Sequence, residues 1–190
     1  DEKMGIWGFF ECIDDPEAAA ALFSSAETWA LQKGMTFMRG PLNPSSNYEV
    51  GLLIEGFNYP PALMMAYTPP YYPGLVESCG FMKEKDLFAF LIEGDYRLPE
   101  WMDRLAERIA KKKGVHIRLS RPKDADSEFA LIKEIYNASW SGNWGFVPLS
   151  DKEMRDIQKN VMKFADPDLV FFIDYEHEPA AFCVIFPDIN

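Results

Sequence analysis

Histidine and cysteine are scarce in this chain, and their scarcity removes several chemistries at once. The two histidines fall in different settings, His116 in an apparent strand and His177 in an apparent turn. That leaves little material for a zinc site or a nucleophilic triad, and no metal is expected. Cys12, Cys79 and Cys183 show no CxxC spacing, and each sits among apolar residues. They read as small buried hydrophobes of a reducing cytoplasm. No run of about 18 apolar residues exists, and the opening residues lack a basic stretch followed by an apolar one, so neither a membrane span nor a signal peptide is read. Basic side chains are also in the minority. Nineteen Lys and Arg against thirty Asp and Glu give a formal net charge of −11, which repels phosphate backbones and anionic bilayers. Nucleic-acid and membrane partners are therefore not expected. The one basic run, Lys111-Lys112-Lys113, closes a helix, where cations favour the dipole.

Aromatic residues, by contrast, make up 15% of the chain, enough to fill a large core or to wall a pocket with rings. At 190 residues one domain or two small ones can bury a core. Ile6 to Ile13 (IWGFFECI) has the continuous apolarity of a strand covered on both faces. Asp15 as a cap, Pro16 at the first helical position and Gly34 after Lys33 delimit a helix over 16–33, in which Leu22, Phe23, Ala26, Trp29 and Ala30 recur at helical spacing. Leu22 is expected to be buried. Met35 to Arg39 reads as the next strand, and strand, helix, strand in that order predicts a parallel, right-handed crossover. Residues 40–72 read as a long irregular connection with strand fragments, 72–79 as a short helix stopped by Gly80, and 86–92 as a strand. Pro99 opens an amphipathic helix carrying Trp101, Leu105 and Ile109 and closed by Gly114. Beyond it follow a strand at 115–119, a helix from Asp126 or Ser127 through Tyr136, a helix from a Ser150/Glu153 capping box to about Phe164, and a hairpin of strands 169–175 and 180–186.

Within this frame a few polar residues stand out. Glu11 is the one ionisable side chain inside an apolar strand, so its carboxylate must find a partner, face water or shift its pKa. Asn43, Ser45, Ser46, Asn47 and Glu49 cluster after a strand end, where α/β sheets commonly place ligands. Turn and cap formation accounts for the same residues. Asn137, Trp140, Asn143 and Trp144 concentrate amides and indoles between two helices, where packing is the ordinary role of such indoles.

The run Leu75-Val76-Glu77-Ser78-Cys79-Gly80-Phe81 resembles the LYExxGF pattern of the GNAT superfamily, the acyl-coenzyme A N-acyltransferases. More specifically, FFECIDDPE, RGPLNPSSNYE, MAYTPPYY and YNASWSGNWGFVPLS are similar to a poorly characterised family of bacterial proteins with two GNAT-like domains in tandem. The resemblance covers most of the chain. It implies an α/β (α+β) fold, a mixed central sheet flanked by helices. Residues 5–94 would be the C-terminal half of one GNAT-like unit, 95–114 a connecting helix, and 115–190 the N-terminal half of a second. The chain is then expected to be a piece cut at both ends whose halves can join in permuted order, with the 169–186 hairpin beside the N-terminal sheet, within one chain or by exchange in a homodimer.

The resemblance further implies transfer of an acetyl or other acyl group from an acyl-CoA co-substrate to an amine. The pantetheine arm would enter between splayed parallel strands, here 6–13 and 35–39, with Phe10, Cys12, Asn43 and Asn47 at the cofactor. Glu11 would be the general base, Tyr71 and Tyr72 would be candidates to protonate the departing thiolate, and Asn137, Trp140, Asn143 and Trp144 would border the acceptor. Tyr71, Tyr72 and Asn47 are expected around one cleft. Two features depart from the enzymes' pattern. The Q/R-x-x-G-x-G/A phosphate loop is missing, with Asp14, Asp15 and Glu17 in its place, and Val76 stands where many of them carry a tyrosine. A GNAT-shaped domain that has lost catalysis and serves as a ligand-binding or interaction module is the alternative reading.

Overall fold

The computed structural model describes residues 3–92, 94, 96–161 and 166–188. They form a mixed α+β structure in two compact units, one running to Ala89 and one from Phe90 to Asp188.

In the first unit, β1 (Met4–Ile6) pairs in parallel with β2 (Phe37–Arg39), Gly5 opposite Met38, and α1 (Pro16–Gln32) makes the crossover between them. Local chemistry places α1. The Asp15 side chain accepts hydrogen bonds from the Glu17 and Ala18 amides, Pro16 opens the first turn, and Gly34 at φ +78° ends the element; a left-handed residue there suits glycine. The buried face is Ala19, Phe23 and Ala30, whereas Leu22 is 50% exposed. Leu22 is thus at the flank of the buried face, half in water, against expectation. Of the two apolar stripes on α1, the one bearing Phe23 is the one that meets other rings.

That core is aromatic. Phe23 lies with ring centroids 5.0 Å from Trp7, 5.1 Å from Phe10 and 4.7 Å from Phe81. Val76 is buried beside Trp7 and Phe23, on α2 (Tyr72–Ser78). Gly80 follows at φ +88° and returns Phe81 to this core, as the run ending in Gly-Phe predicts.

The expected strand at 6–13 is shorter. Trp7 still donates to the Arg39 carbonyl at 3.0 Å and accepts from Leu42, but Phe9 turns to φ +53° and the ladder ends. Between β2 and α2 the chain forms a small antiparallel ladder, β3 (Leu42–Asn43) with β4 (Glu49–Val50), and otherwise runs irregularly. Residues 86–92, expected as a strand, form none, and Leu87, Leu91 and Ile92 are exposed.

The second unit begins with α3 (Glu100–Ala110) and builds one antiparallel sheet. The order is β5 (Val115–Leu119), β6 (Val170–Tyr175), β7 (Glu178–Val184), with Ile117 opposite Ile173. The C-terminal hairpin, which needs a third strand to be stable, finds it in β5. Two helices complete the unit, α4 (Ala125–Trp140) and α5 (Asp151–Val161). The capping box of α5 is formed in both directions, Ser150 N–H to Glu153 Oε2 at 2.9 Å and Glu153 N–H to Ser150 Oγ at 3.2 Å. The expected end of α5 near Phe164 lies outside the described residues. Phe172 is fully buried, and the Arg118 guanidinium lies 4.4 Å from its ring centre. Glu128 of α4, also buried, takes hydrogen bonds from Arg118 (2.9 and 3.1 Å) and Arg121 (3.0 and 3.1 Å). Burial alone would raise its carboxyl pKa, but these two guanidiniums outweigh burial and hold it below the usual glutamate value.

Candidate functional site

Where β1 gives way to irregular chain, the first unit opens into a cleft of about 390 Å³. Its floor is set by close backbone approach. A methyl group on Gly8 would stand 2.0 Å from the Leu42 carbonyl oxygen, and one on Gly40 would stand 2.3 Å from the Trp7 carbonyl oxygen. Only glycine fits at either position. Beyond Gly8 the Phe9 amide leaves the sheet and donates to Asn43 Oδ1 at 2.7 Å, which fixes the side chain of Asn43 at the cleft wall.

The next residues, Phe10 to Cys12, belong to no strand and have no neighbouring one. Cys12 is instead satisfied by two phenols from the start of α2. Its N–H donates to the Tyr72 hydroxyl at 3.0 Å and its carbonyl accepts from the Tyr71 hydroxyl at 2.9 Å. The Tyr72 hydroxyl in turn donates to Glu11 Oε2 at 2.8 Å. Among the described residues the Phe10 and Glu11 amides have no protein acceptor, and both residues line the cleft. Tyr72 itself is 1% exposed. Burial, opposed by the Cys12 N–H and reinforced by the Glu11 carboxylate, raises its hydroxyl above the ordinary tyrosine value, so it stays a protonated donor at neutral pH.

Phe10 joins core to cleft, because its ring stacks on Phe23 and meets Tyr72 edge-on at 4.9 Å while also lining the opening. The opposite wall is Leu52, Met64 and Tyr67. Tyr67 is tied to the Phe57 carbonyl at 2.8 Å, and the Thr68 hydroxyl receives the Leu53 amide at 3.0 Å. Glu49 also lines the cleft, 3.5 Å from the Asn43 amide nitrogen. Among the described residues, Glu11 and Glu49 therefore line a space that has no lysine, arginine or histidine in its walls. Such a space favours a cationic or hydrogen-bond-donating guest with an apolar body.

The residues singled out in sequence separate accordingly. Phe10, Glu11 and Asn43 come together at the cleft. Cys12 is held by Tyr71 and Tyr72, which support the segment from Phe10 to Cys12, and Asn47 lies in the turn between β3 and β4, its amide donating to Ser45 Oγ at 3.2 Å. Tyr71, Tyr72 and Asn47 therefore do not line this cleft, contrary to expectation. Tyr48, Met64 and Tyr67 also line the cleft, and no periodicity marks them in sequence because they lie in irregular chain. Val76 is a core residue, and the α1 N-terminus is occupied by Asp15.

In the second unit Asn137 is held by its own chain. Its Oδ1 accepts from the Leu149 amide at 2.8 Å and its Nδ2 donates to the Leu149 carbonyl at 3.1 Å. Trp140 stacks on Tyr136 with centroids 5.1 Å apart, Asn143 forms the turn after α4, and Trp144 follows it, 40% exposed. Among the described residues no group of three His, Cys, Asp or Glu is placed to hold a metal ion, and no helix is long and apolar enough to cross a membrane.

The cleft thus combines an oriented carboxylate, unpaired backbone amides and apolar walls. Over its whole length the chain is 34% identical to Protein YghO of Escherichia coli (strain K12). Over 186 residues, 98% of the chain, it is 37% identical to the bacterial ceramide synthase of Caulobacter vibrioides (strain NA1000 / CB15N). It covers 48% of each, so it spans about half the length of the curated relatives it matches. No family model and no solved structure matches the chain.

Proposed function

We propose that the chain is part of an N-acyltransferase of GNAT type that transfers an acyl group from a coenzyme A thioester to the amine of a long-chain amino alcohol. The observation that carries this reading is that Phe10 and Glu11, whose amides have no protein acceptor among the described residues, line one cleft together with the Tyr72-held Glu11 side chain. Similarity to a relative named as a ceramide synthase supports it, since a ceramide is the amide of a long-chain amino alcohol. The parallel β1–α1–β2 crossover also supports it, as the arrangement the GNAT resemblance implies.

In this reading the thioester carbonyl sits on the Phe10 and Glu11 amides, which are preorganised for the oxyanion. The amine nitrogen attacks that carbon, the C–N bond forms, and Glu11 takes the proton lost from nitrogen. The C–S bond then breaks, the thiolate leaves, and the proton held on Glu11 passes to it, which gives the free thiol and restores the carboxylate. Glu49 adds a second negative charge that attracts the amine in its ammonium form, which gives one proton to solvent before it attacks, and Leu52, Met64 and Tyr67 provide apolar surface for its chain. With the full-length protein, an acyl-CoA and a long-chain amino alcohol, amide and free thiol should appear in equal amounts. Thiol release that does not depend on the amine would count against the reading.

One observation favours the alternative, a domain of this shape without catalysis. Asp15 already occupies the α1 N-terminus, where the superfamily places the coenzyme A pyrophosphate, so an anion there meets a like charge. Calorimetry with coenzyme A separates the two: micromolar binding supports the enzyme, and no binding supports the module.

A further inference from the structure

Resting on the reading of Glu11 as the base, we infer that Tyr72 is a positioning residue of this site and not the acid that protonates the thiolate. Its single hydroxyl makes two hydrogen bonds of opposite sense, accepting from Cys12 N–H at 3.0 Å and donating its proton to Glu11 Oε2 at 2.8 Å. The hydroxyl proton is thereby committed to the carboxylate. The ring is 1% exposed and packs edge-on against Phe10 and Tyr71, which leaves the side chain no room to swing toward the cleft.

The consequence is mechanical and chemical together. A segment without a neighbouring strand would ordinarily be loose, because nothing fixes its backbone. Tyr72 and Tyr71 hold Cys12 from its two polar groups and do the work of that missing strand. The phenols take only the polar groups of Cys12 and one oxygen of the Glu11 carboxylate, so the amides of Phe10 and Glu11 keep no protein acceptor among the described residues. The same Tyr72 hydroxyl holds Glu11 Oε2, which leaves Oε1 as the oxygen that meets an amine proton. Base and oxyanion donors are thus set by one buried phenol, and a short distance between them follows from their sharing adjacent residues.

The test uses the full-length protein and four forms: wild type, Tyr72→Phe, Glu11→Gln and the double variant, with Tyr71→Phe as comparator. Tyr72→Phe keeps the ring and removes the hydroxyl. It should lower kcat about 10–100-fold, the cost of a misplaced reacting group, with the KM for amine little changed. In the Glu11→Gln background the same change should have far less effect, because the group it positions is gone. Tyr71→Phe, which touches only the Cys12 carbonyl, should slow turnover far less than Tyr72→Phe. Full additivity of the two changes, or a Tyr72→Phe protein with wild-type kcat, overturns the inference.

A second readout needs no activity. Hydrogen exchange at the Cys12 amide should be slow in wild type and faster in Tyr72→Phe, while the amides of α1 exchange as before. Unchanged Cys12 exchange would overturn the inference even in an active enzyme. If the wild type makes no amide at all while the exchange result holds, the functional reading falls and the clamp stands.

Discussion

Replacing Phe23 by alanine should remove more stability than any other single truncation in α1. Its ring is 4% exposed and meets three others, Trp7, Phe10 and Phe81, at centroid distances of 5.0, 5.1 and 4.7 Å. A buried Phe→Ala change costs about 3–5 kcal/mol, and each lost aromatic pair adds to what area alone predicts, so the upper part of that range is expected. The neighbouring Leu22→Ala is the control. Half of that side chain is already in water, and its loss should cost about 1 kcal/mol or less. Urea unfolding followed at the Trp7 indole reports the first unit alone, which matters because two units need not unfold together. With a urea slope of about 2 kcal/mol/M, Phe23→Ala should lower the midpoint by about 2 M and Leu22→Ala by well under 1 M. Equal shifts for the two variants would refute the assignment of the buried face. The damage should reach the cleft as well, since Phe10 loses the ring on which it stacks.

Glu11→Gln should leave the protein folded, because the amide oxygen still accepts from Tyr72, and should lower kcat about 10²–10⁴-fold as loss of a general base does, read by steady-state kinetics of amide formation. Gly8→Ala puts a methyl group onto the Leu42 carbonyl; the strain should cost about 1–3 kcal/mol in denaturant and disturb the Phe9–Asn43 bond, seen as a changed Phe9 amide resonance. The Glu128 carboxyl is held below its ordinary value, so its contribution is fully present above about pH 4.3, the unfolded value, and is lost as the pH falls through the folded one. Second-unit stability should therefore drop in acid. Glu128→Gln should flatten that drop and cost about 3 kcal/mol at pH 7, the low end for breaking a buried pair because Arg121 keeps much of its head in water.

What the sequence discloses here is whatever a few consecutive residues decide. Asp15-Pro16 and Gly34 delimit α1, Ser150 with Glu153 opens α5, and Gly80 stops α2, because caps and left-handed turns are satisfied within a turn of chain. The parallel crossover follows from the order of elements. Continuous apolarity from Ile6 to Ile13 predicts a longer strand than forms, because the end of β1 is set by Asn43 drawing off the Phe9 amide and by two tyrosines about sixty residues away taking Cys12. Those partners are invisible to periodicity. Residues 86–92 have strand composition, but a strand exists only with a ladder, and composition does not supply one. At the cleft, Glu11 is legible as the lone charge in an apolar run and Asn43 as a polar residue after a strand end. Tyr67 and Met64 are not legible, because irregular chain carries no repeating pattern from which a wall could be read.

Catalysis at this cleft requires that the Phe10 or Glu11 amide receive the thioester carbonyl beside the Glu11 carboxylate. A crystal structure of the full-length protein with a non-hydrolysable acyl-coenzyme A analogue tests it most directly. The account predicts the acyl carbonyl oxygen at about 3 Å from one or both of those amides, with the acyl carbon open to attack from the side of Glu11. An analogue bound with its carbonyl elsewhere, and the Phe10–Glu11 amides empty, would contradict it.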